Sequence, residues 1–246
     1  MRLSLQPAAA SVTEVGWFEQ SAADLPAEDA WLSAGEAARL ARLRFPKRRA
    51  DWRLGRWTAK RAVALCCNLP ADAKTLSRLE IRAAPDGAPE VFFENRPGGV
   101  SISLSHRDGF AACAVAPPVT ELGCDLELIE PRSDAFVADY FTVEEQALVS
   151  ATAPDLRPRL VTLLWSAKES ALKALRSGLR LDTRCVTVQP PAEEPGKQWH
   201  ALQARHADGR SFDGWWCADG KFVRTVVALH CWPSASSLGC PQRLSF

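Results

Sequence analysis

The sequence predicts an α+β fold in two halves, and three observations carry that reading. Capping-box signals that start helices occur in both halves, at Ser33–Glu36 and at Thr142–Glu145. Short β-rich runs joined by Asp-Gly and similar turns follow helical stretches in each half. A proline pair, Pro117 and Pro118, separates the halves. Helix plus strand within each half suggests two α+β subdomains, residues 1–119 and 120–246, rather than one parallel α/β sheet.

In the first half, Ser33 precedes a helix over "AGEAARLARLRF", and Pro46 opens a longer one, "PKRRADWRLGRWTAKRAVALCCNLP", ended by Asn68 and Pro70. "RLEIRAAPDGAPEVFF" reads as two strands about a Pro-Asp-Gly turn, and "VSISLSHRDGFAACAVAP" as two more about "HRDG". The second half opens with the strand "LGCDLELI". A long helix is expected from about Pro158 to Gly178, where glycine stops it. "CVTVQP", "WHALQARHADG", "SFDGWWCADG" and "KFVRTVVALHCW" read as strands joined by tight turns. No residue-level repeat between the halves is evident.

Composition narrows the function classes. The 246 residues, 47% hydrophobic and 24% charged, suit one large globular domain or two ordinary ones. A formal net charge of +1 gives no global attraction to nucleic acid or anionic membrane. The opening "MRLSLQPAAASVTEVGWF" is a poor secretory signal, and no apolar run reaches the roughly 18 residues that cross a bilayer. A soluble, cytoplasmic protein is expected. The eight cysteines include no CxxC pair, and Cys113, Cys124, Cys185, Cys217 and Cys231 read as small apolar residues of core strands. No HExxH, G-x-S-x-G, Walker A or G-x-G-x-x-G motif is present.

Four stretches bear chemistry. In "GCDLE", Asp125 and Glu127 share one face of a strand, where paired carboxylates repel unless a cation lies between them; the bland alternative is two solvated acids on an edge. In "LLWSAKESALKALRSGL", Leu164, Trp165, Ala171, Leu172 and Leu175 take core-facing spacings. Glu169 and Lys173 there stand one turn apart, either as a surface ion pair or as a third oxygen ligand with a cation for phosphate. Three carboxylates with water and phosphate oxygens suit octahedral Mg²⁺. Arg49, Arg53, Arg56 and Lys60 make a basic stripe, ordinarily a solvated face, with Trp52 and Trp57 opposite. In "SLSHRDG", Ser105 and His106 are possible phosphate donors, though a lone histidine more often does nothing catalytic.

Together "GCDLE", "WSAKESALK", "SLSH" and "RRADWRLGRWTAKRA" resemble the surfactin-type 4'-phosphopantetheinyl transferases, in order and spacing, across roughly residues 40 to 190. The resemblance implies transfer of the phosphopantetheine arm of coenzyme A to a serine of an acyl or peptidyl carrier protein, releasing 3',5'-ADP. It implies that Asp125, Glu127 and Glu169 hold Mg²⁺, and that Glu169 and Lys173 are catalytic. His106, Arg56 and Lys173 would contact CoA phosphates, with Ser105, Arg49 and Lys60 as further donors. It also implies a pseudo-dimer of two similar α+β subdomains with the active site in the cleft between them, most simply as a monomer. The serine proton would pass to Glu169 or to Mg²⁺-bound water; a metal-bound glutamate is a feeble base, which favours the water. Residues 130–142, with Arg132, Phe136, Val137, Tyr140 and Phe141, would lie near the carrier, or form a core helix. Many relatives have a lysine before the serine-histidine strand where this chain has Ala88 in "DGAPEV"; Arg82, Arg96 or the stripe would have to compensate. Two other readings stand beside the transferase: a CoA-binding or carrier-binding module without turnover, and an unrelated Mg²⁺-dependent phosphotransferase.

Overall fold

A computed structural model of the chain describes residues 12, 14–177, 180–189, 198–229 and 240–244. The expected helix stop at Gly178 and the core position of Cys231 lie outside them. The fold is mixed α+β in two compact units, one comprising Met1–Leu104, Gly109–Thr120 and Gln242–Phe246, the other Ser105–Asp108 and Glu121–Pro241.

The first unit runs β1 (Gly16–Ser21), α1 (Ala34–Arg42), α2 (Pro46–Cys66), α3 (Ala73–Arg78), β2 (Leu79–Ala83), β3 (Pro89–Phe93), β4 (Arg96–Pro97), β5 (Ser101–Arg107, whose last three residues count with the second unit) and β6 (Phe110–Ala116). The last two residues of its sheet come from β12 (Gln242–Arg243), giving strand order β12-β1-β6-β5, beside a small β2-β3-β4 sheet. Pro46 starts α2 as expected, and Asn68, in left-handed backbone at φ 52, follows its end. Asp108 and Gly109, both at positive φ, make the two-residue turn between β5 and β6. Ala111–Ala116 of β6 are wholly buried, and their small side chains let α2 lie close across the strand.

The second unit runs β7 (Leu122–Leu128), α4 (Asp134–Tyr140), α5 (Val143–Ala151), α6 (Arg157–Ala174), β8 (Val186–Gln189), β9 (His200–His206), β10 (Ser211–Asp219) and β11 (Phe222–Leu229). Its antiparallel sheet has the order β7-β11-β10-β9-β8. Helix α6 packs across β7 and β11, burying Leu164, Ala167, Ala171 and Leu172 against Val223, Val227 and Trp216. Cys113, Cys124 and Cys217 are buried in strands as expected. Cys185 instead ends the 3₁₀ turn Thr183–Cys185, where it is half-buried. Among the described residues no helix is long and apolar enough to cross a membrane.

The units share a bonding plan that the residue pattern alone had hidden. Ser33 Oγ accepts from Glu36 N (3.2 Å), and Glu36 Oε2 accepts from Ser33 N (3.0 Å). Glu36 Oε1 takes the amide of Ile81 (3.0 Å), and the carboxylate pairs with Lys60. In the second unit Thr142 and Glu145 form the same box, and Glu145 Oε1 takes the amide of Val188 (2.9 Å). Its carboxylate lies 2.8 Å from Lys168 Nζ. Each lysine is wholly buried and donates to two carbonyls: Lys60 to Trp31 and Leu76, Lys168 to Thr183 and Val186. An aromatic ring lies beneath each, Trp31 at 5.5 Å and Phe141 at 5.8 Å. The sequence repeat is therefore real but short: Trp57-Thr58-Ala59-Lys60-Arg61 against Trp165-Ser166-Ala167-Lys168-Glu169.

This arrangement corrects the expectation for Lys60. The three donors of its ammonium go to Trp31 O, Leu76 O and Glu36, so it is a structural cation with nothing left for a phosphate.

Candidate functional site

The first residue of the G-x-D-x-E stretch positions the rest. A Cβ on Gly123 would stand 1.7 Å from the Ser170 carbonyl oxygen and 2.8 Å from Ala174 N, so only glycine lets α6 press this closely on β7. The approach sets the turn of α6 that carries Glu169 and Lys173 against the strand that carries Asp125 and Glu127. Thr225 of β11, directly across from Asp125 in register, locks the helix further. Its hydroxyl lies 2.8 Å from that of Ser166 and 2.7 Å from that of Ser170.

Asp125 is 4% exposed. Its Oδ1 accepts from Lys173 Nζ and from Ser105 Oγ, each at 2.8 Å. Its Oδ2 is buried without a hydrogen-bond partner. Glu127 Oε1 accepts from Trp165 Nε1 (3.3 Å), while Oε2 is buried and has ion-pair contacts only, with Arg107 (3.6 Å) and Arg132 (3.7 Å). Two buried carboxylate oxygens without donors are uncommon, because desolvating an oxygen that makes no bond is unfavourable.

The acids sense one another. Burial raises the pKa of Glu127, and Asp125 raises it further against the pull of Arg107 and Arg132. Burial, assisted by Asp125 and Glu127 and opposed by Lys173, lifts Glu169 from 4.5 to about 7. For Lys173, burial acts downward, but Asp125, Cys124 and Glu169 outweigh it and hold the ammonium above its ordinary value. It also donates to the Cys124 carbonyl (3.0 Å).

Ser105, Asp125, Glu127, Glu169 and Lys173 thus gather in the second unit. His106, next to Ser105 on β5, projects to the opposite face of the strand and is exposed. The basic stripe belongs to the first unit and serves its packing. Arg49 donates to the Leu40 carbonyl (2.6 Å), and Arg53 to Asp29 and the Pro26 carbonyl (2.8 and 2.9 Å). Arg56 lies 3.9 Å from Glu36 and over the Trp52 ring, with its pKa lowered chiefly by burial. Ala88 closes the β2–β3 turn, accepting from Ala84 N (2.9 Å); Arg82 pairs with Glu80 (2.8 Å) and stacks on Phe92. Sequence reading missed Arg107 and Trp165 as neighbours of the acids. Arg107 shares the strand parity of Ser105, the one signal that pointed to it.

Among the described residues, no three His, Cys, Asp or Glu side chains already converge as a metal cage. The donor chemistry nonetheless fits Mg²⁺: hard carboxylate oxygens on three residues, two of those oxygens buried and without donors.

Residues 121–218 match the family model ACPS, described as the 4'-phosphopantetheinyl transferase superfamily. The matched segment runs from the residue before β7 through most of β10, and so includes Asp125, Glu127, Trp165, Glu169 and Lys173. The match is to the transferase superfamily and does not single out its surfactin-type branch. Solved structures similar to parts of the chain include two synthases. Holo-(acyl-carrier-protein) synthase from Thermotoga maritima is 19% identical, covering 50% of this chain and 80% of its own, with a TM-score of 0.33. Holo-(acyl-carrier-protein) synthase from Helicobacter pylori, in complex with coenzyme A, is 21% identical, covering 42% of this chain and 98% of its own, with a TM-score of 0.28. No curated protein matches the chain.

Proposed function

We propose that the protein is a Mg²⁺-dependent 4'-phosphopantetheinyl transferase of the surfactin type, moving the phosphopantetheine of coenzyme A to a serine of an acyl or peptidyl carrier protein. The observation that carries the reading is the donor-free buried Oδ2 of Asp125, beside Glu127 and Glu169, inside the segment similar to the transferase superfamily. A hard cation is what such oxygens lack.

Asp125, Glu127 and Glu169 would hold the ion. Bound there, Mg²⁺ would neutralise charge on the pyrophosphate of CoA. In the reaction the serine oxygen forms a bond to the β-phosphorus as its proton passes to water or to Glu169, the bond from that phosphorus to the bridging oxygen breaks, and 3',5'-ADP leaves with the electron pair. Lys173, kept charged by Asp125, offers positive charge where phosphoryl oxygens become more negative. Ser105 and Lys173 fix the rotamer of Asp125 through Oδ1 and so leave Oδ2 for a ligand. Glu169, near neutrality in the metal-free chain, can hold or release a proton at working pH; a cation beside it lowers that value.

The carrier-contact reading of residues 130–142 draws on α4, none of whose residues is fully buried. Phe136 packs on Trp165 (5.1 Å) and Tyr140 (4.8 Å) with Arg132 over its ring (5.1 Å), and Tyr140 stays 39% exposed. An apolar patch next to Arg132 suits an acidic partner helix.

The test is chromatographic detection of 3',5'-ADP from CoA. Release that requires both Mg²⁺ and an apo carrier supports transfer. CoA binding with no 3',5'-ADP on any carrier would replace it with a binding module.

A further inference from the structure

Arg107, at the end of β5, and Arg132, in the loop after β7, each reach the same two acids at unequal distances. Arg107 Nη2 donates to Glu130 Oε1 at 2.6 Å, whereas its Nε lies 3.6 Å from Glu127 Oε2. Arg132 Nη2 lies 3.0 Å from Glu130 Oε1 and 3.7 Å from Glu127 Oε2. Arg107 is therefore hydrogen-bonded to Glu130 and Arg132 is ion-paired with it, whereas both are merely adjacent to Glu127. A charge-assisted bond at the shorter distance is the stronger by far, and it is directional for guanidinium. The consequence falls on Glu127 Oε2, which stays buried and without a donor although two arginines stand within reach.

We propose that Glu130 is a positioning residue: by engaging Arg107 and Arg132 it keeps both off Glu127 Oε2 and leaves that oxygen for a divalent cation. The inference rests on the Mg²⁺ reading above. Without the Glu130 carboxylate, Glu127 becomes the nearest acid to both arginines, and a cation would have to displace two guanidinium groups to reach it. Glu130 is one-third exposed, and replacing it should leave the fold intact.

The test is a Mn²⁺ titration of the full-length, CoA-free protein by electron paramagnetic resonance, with thermal melting of every variant to verify folding. Wild type should bind and Asp125→Ala should not. Glu130→Gln should weaken binding by about fivefold or more, and Glu130→Ser should repeat the loss. In a background with Arg107→Gln and Arg132→Gln, the same Glu130→Gln change should alter binding by less than about twofold, because the groups it restrains are gone. Unchanged binding in Glu130→Gln would overturn the proposal, as would an equal loss in the arginine-free background, which would mean that Glu130 acts only through its own charge. If wild type fails to bind Mn²⁺, or Asp125→Ala binds equally well, the metal reading itself falls and takes this inference with it, a result distinct from the other two.

Discussion

Each unit buries a glutamate against a lysine that is held by two backbone carbonyls, Glu36 with Lys60 in the first and Glu145 with Lys168 in the second. Aligned on those pairs, Arg61 stands where Glu169 does and Leu65 where Lys173 does. Aligned on Gly16 and Gly123, the strand glycines that face these helices, Phe18 stands for Asp125 and Gln20 for Glu127. The first unit fills its version with Phe18, and the Arg61 guanidinium lies 5.8 Å from that ring. The buried pair is thus part of the shared fold, whereas the three acids and Lys173 are an addition to one unit. That difference separates what these residues do for stability from what they do for chemistry: a group present in both units holds the fold, and a group present in one is the candidate for function.

The largest expected effect sharpens the functional side. Asp125→Ala and Glu169→Ala should each lower transfer by roughly 10²-fold or more, with circular dichroism unchanged, because charge on the reacting phosphoryl group loses its counter-ion. Next comes the shared side. Lys60→Met and Lys168→Met should each cost about 3–5 kcal/mol in urea denaturation, since each strands a buried carboxylate. A small cost in one unit alone would break the parallel between them. The two glycines distinguish the units in packing. Gly123→Ala must push backbone off backbone and should cost about 3 kcal/mol or prevent folding. Gly16→Ala meets chiefly the movable end of Leu244 at 2.8 Å and should cost about 1 kcal/mol.

A further effect of moderate size is a pH dependence confined to the second unit. Glu169, raised by burial from 4.5 to about 7, binds its proton more tightly folded than unfolded. Its contribution to stability is therefore complete below the unfolded value and is lost as pH rises through about 7. Metal-free Glu169→Gln should gain roughly 2 kcal/mol on wild type between pH 5 and pH 8, after allowance for its partial exposure, as read by urea denaturation at each pH. Metal binding has the opposite sign and should strengthen over that interval, because the ion needs the carboxylate.

Much of this was legible in the residues. Strand period two put Asp125 and Glu127 on one face, and helical spacing put Glu169 with Lys173. The capping boxes at Ser33 and Thr142 start helices where expected. Lys60 was misread because a helical period shows that cations share a face without showing what the face meets. Its partner Glu36 and the carbonyls of Trp31 and Leu76 are brought to it only by tertiary packing. The same limit hid Glu130, whose meaning depends on Arg107 from another strand. Strand β12 escaped because a two-residue edge pairing leaves little pattern, and the repeat escaped because its identity is confined to the turn of helix around Lys60 and Lys168.

The most direct test of the central claim is intact-mass spectrometry of apo carrier proteins incubated with CoA and either wild-type protein, wild type with EDTA, or Asp125→Ala. A gain of about 340 Da on the carrier, as expected for metal-assisted transfer of phosphopantetheine, should occur with wild type and Mg²⁺ alone. A gain that persists with EDTA or with Asp125→Ala would contradict the metal role of the second unit's acids, and no gain on any carrier would contradict the transfer itself.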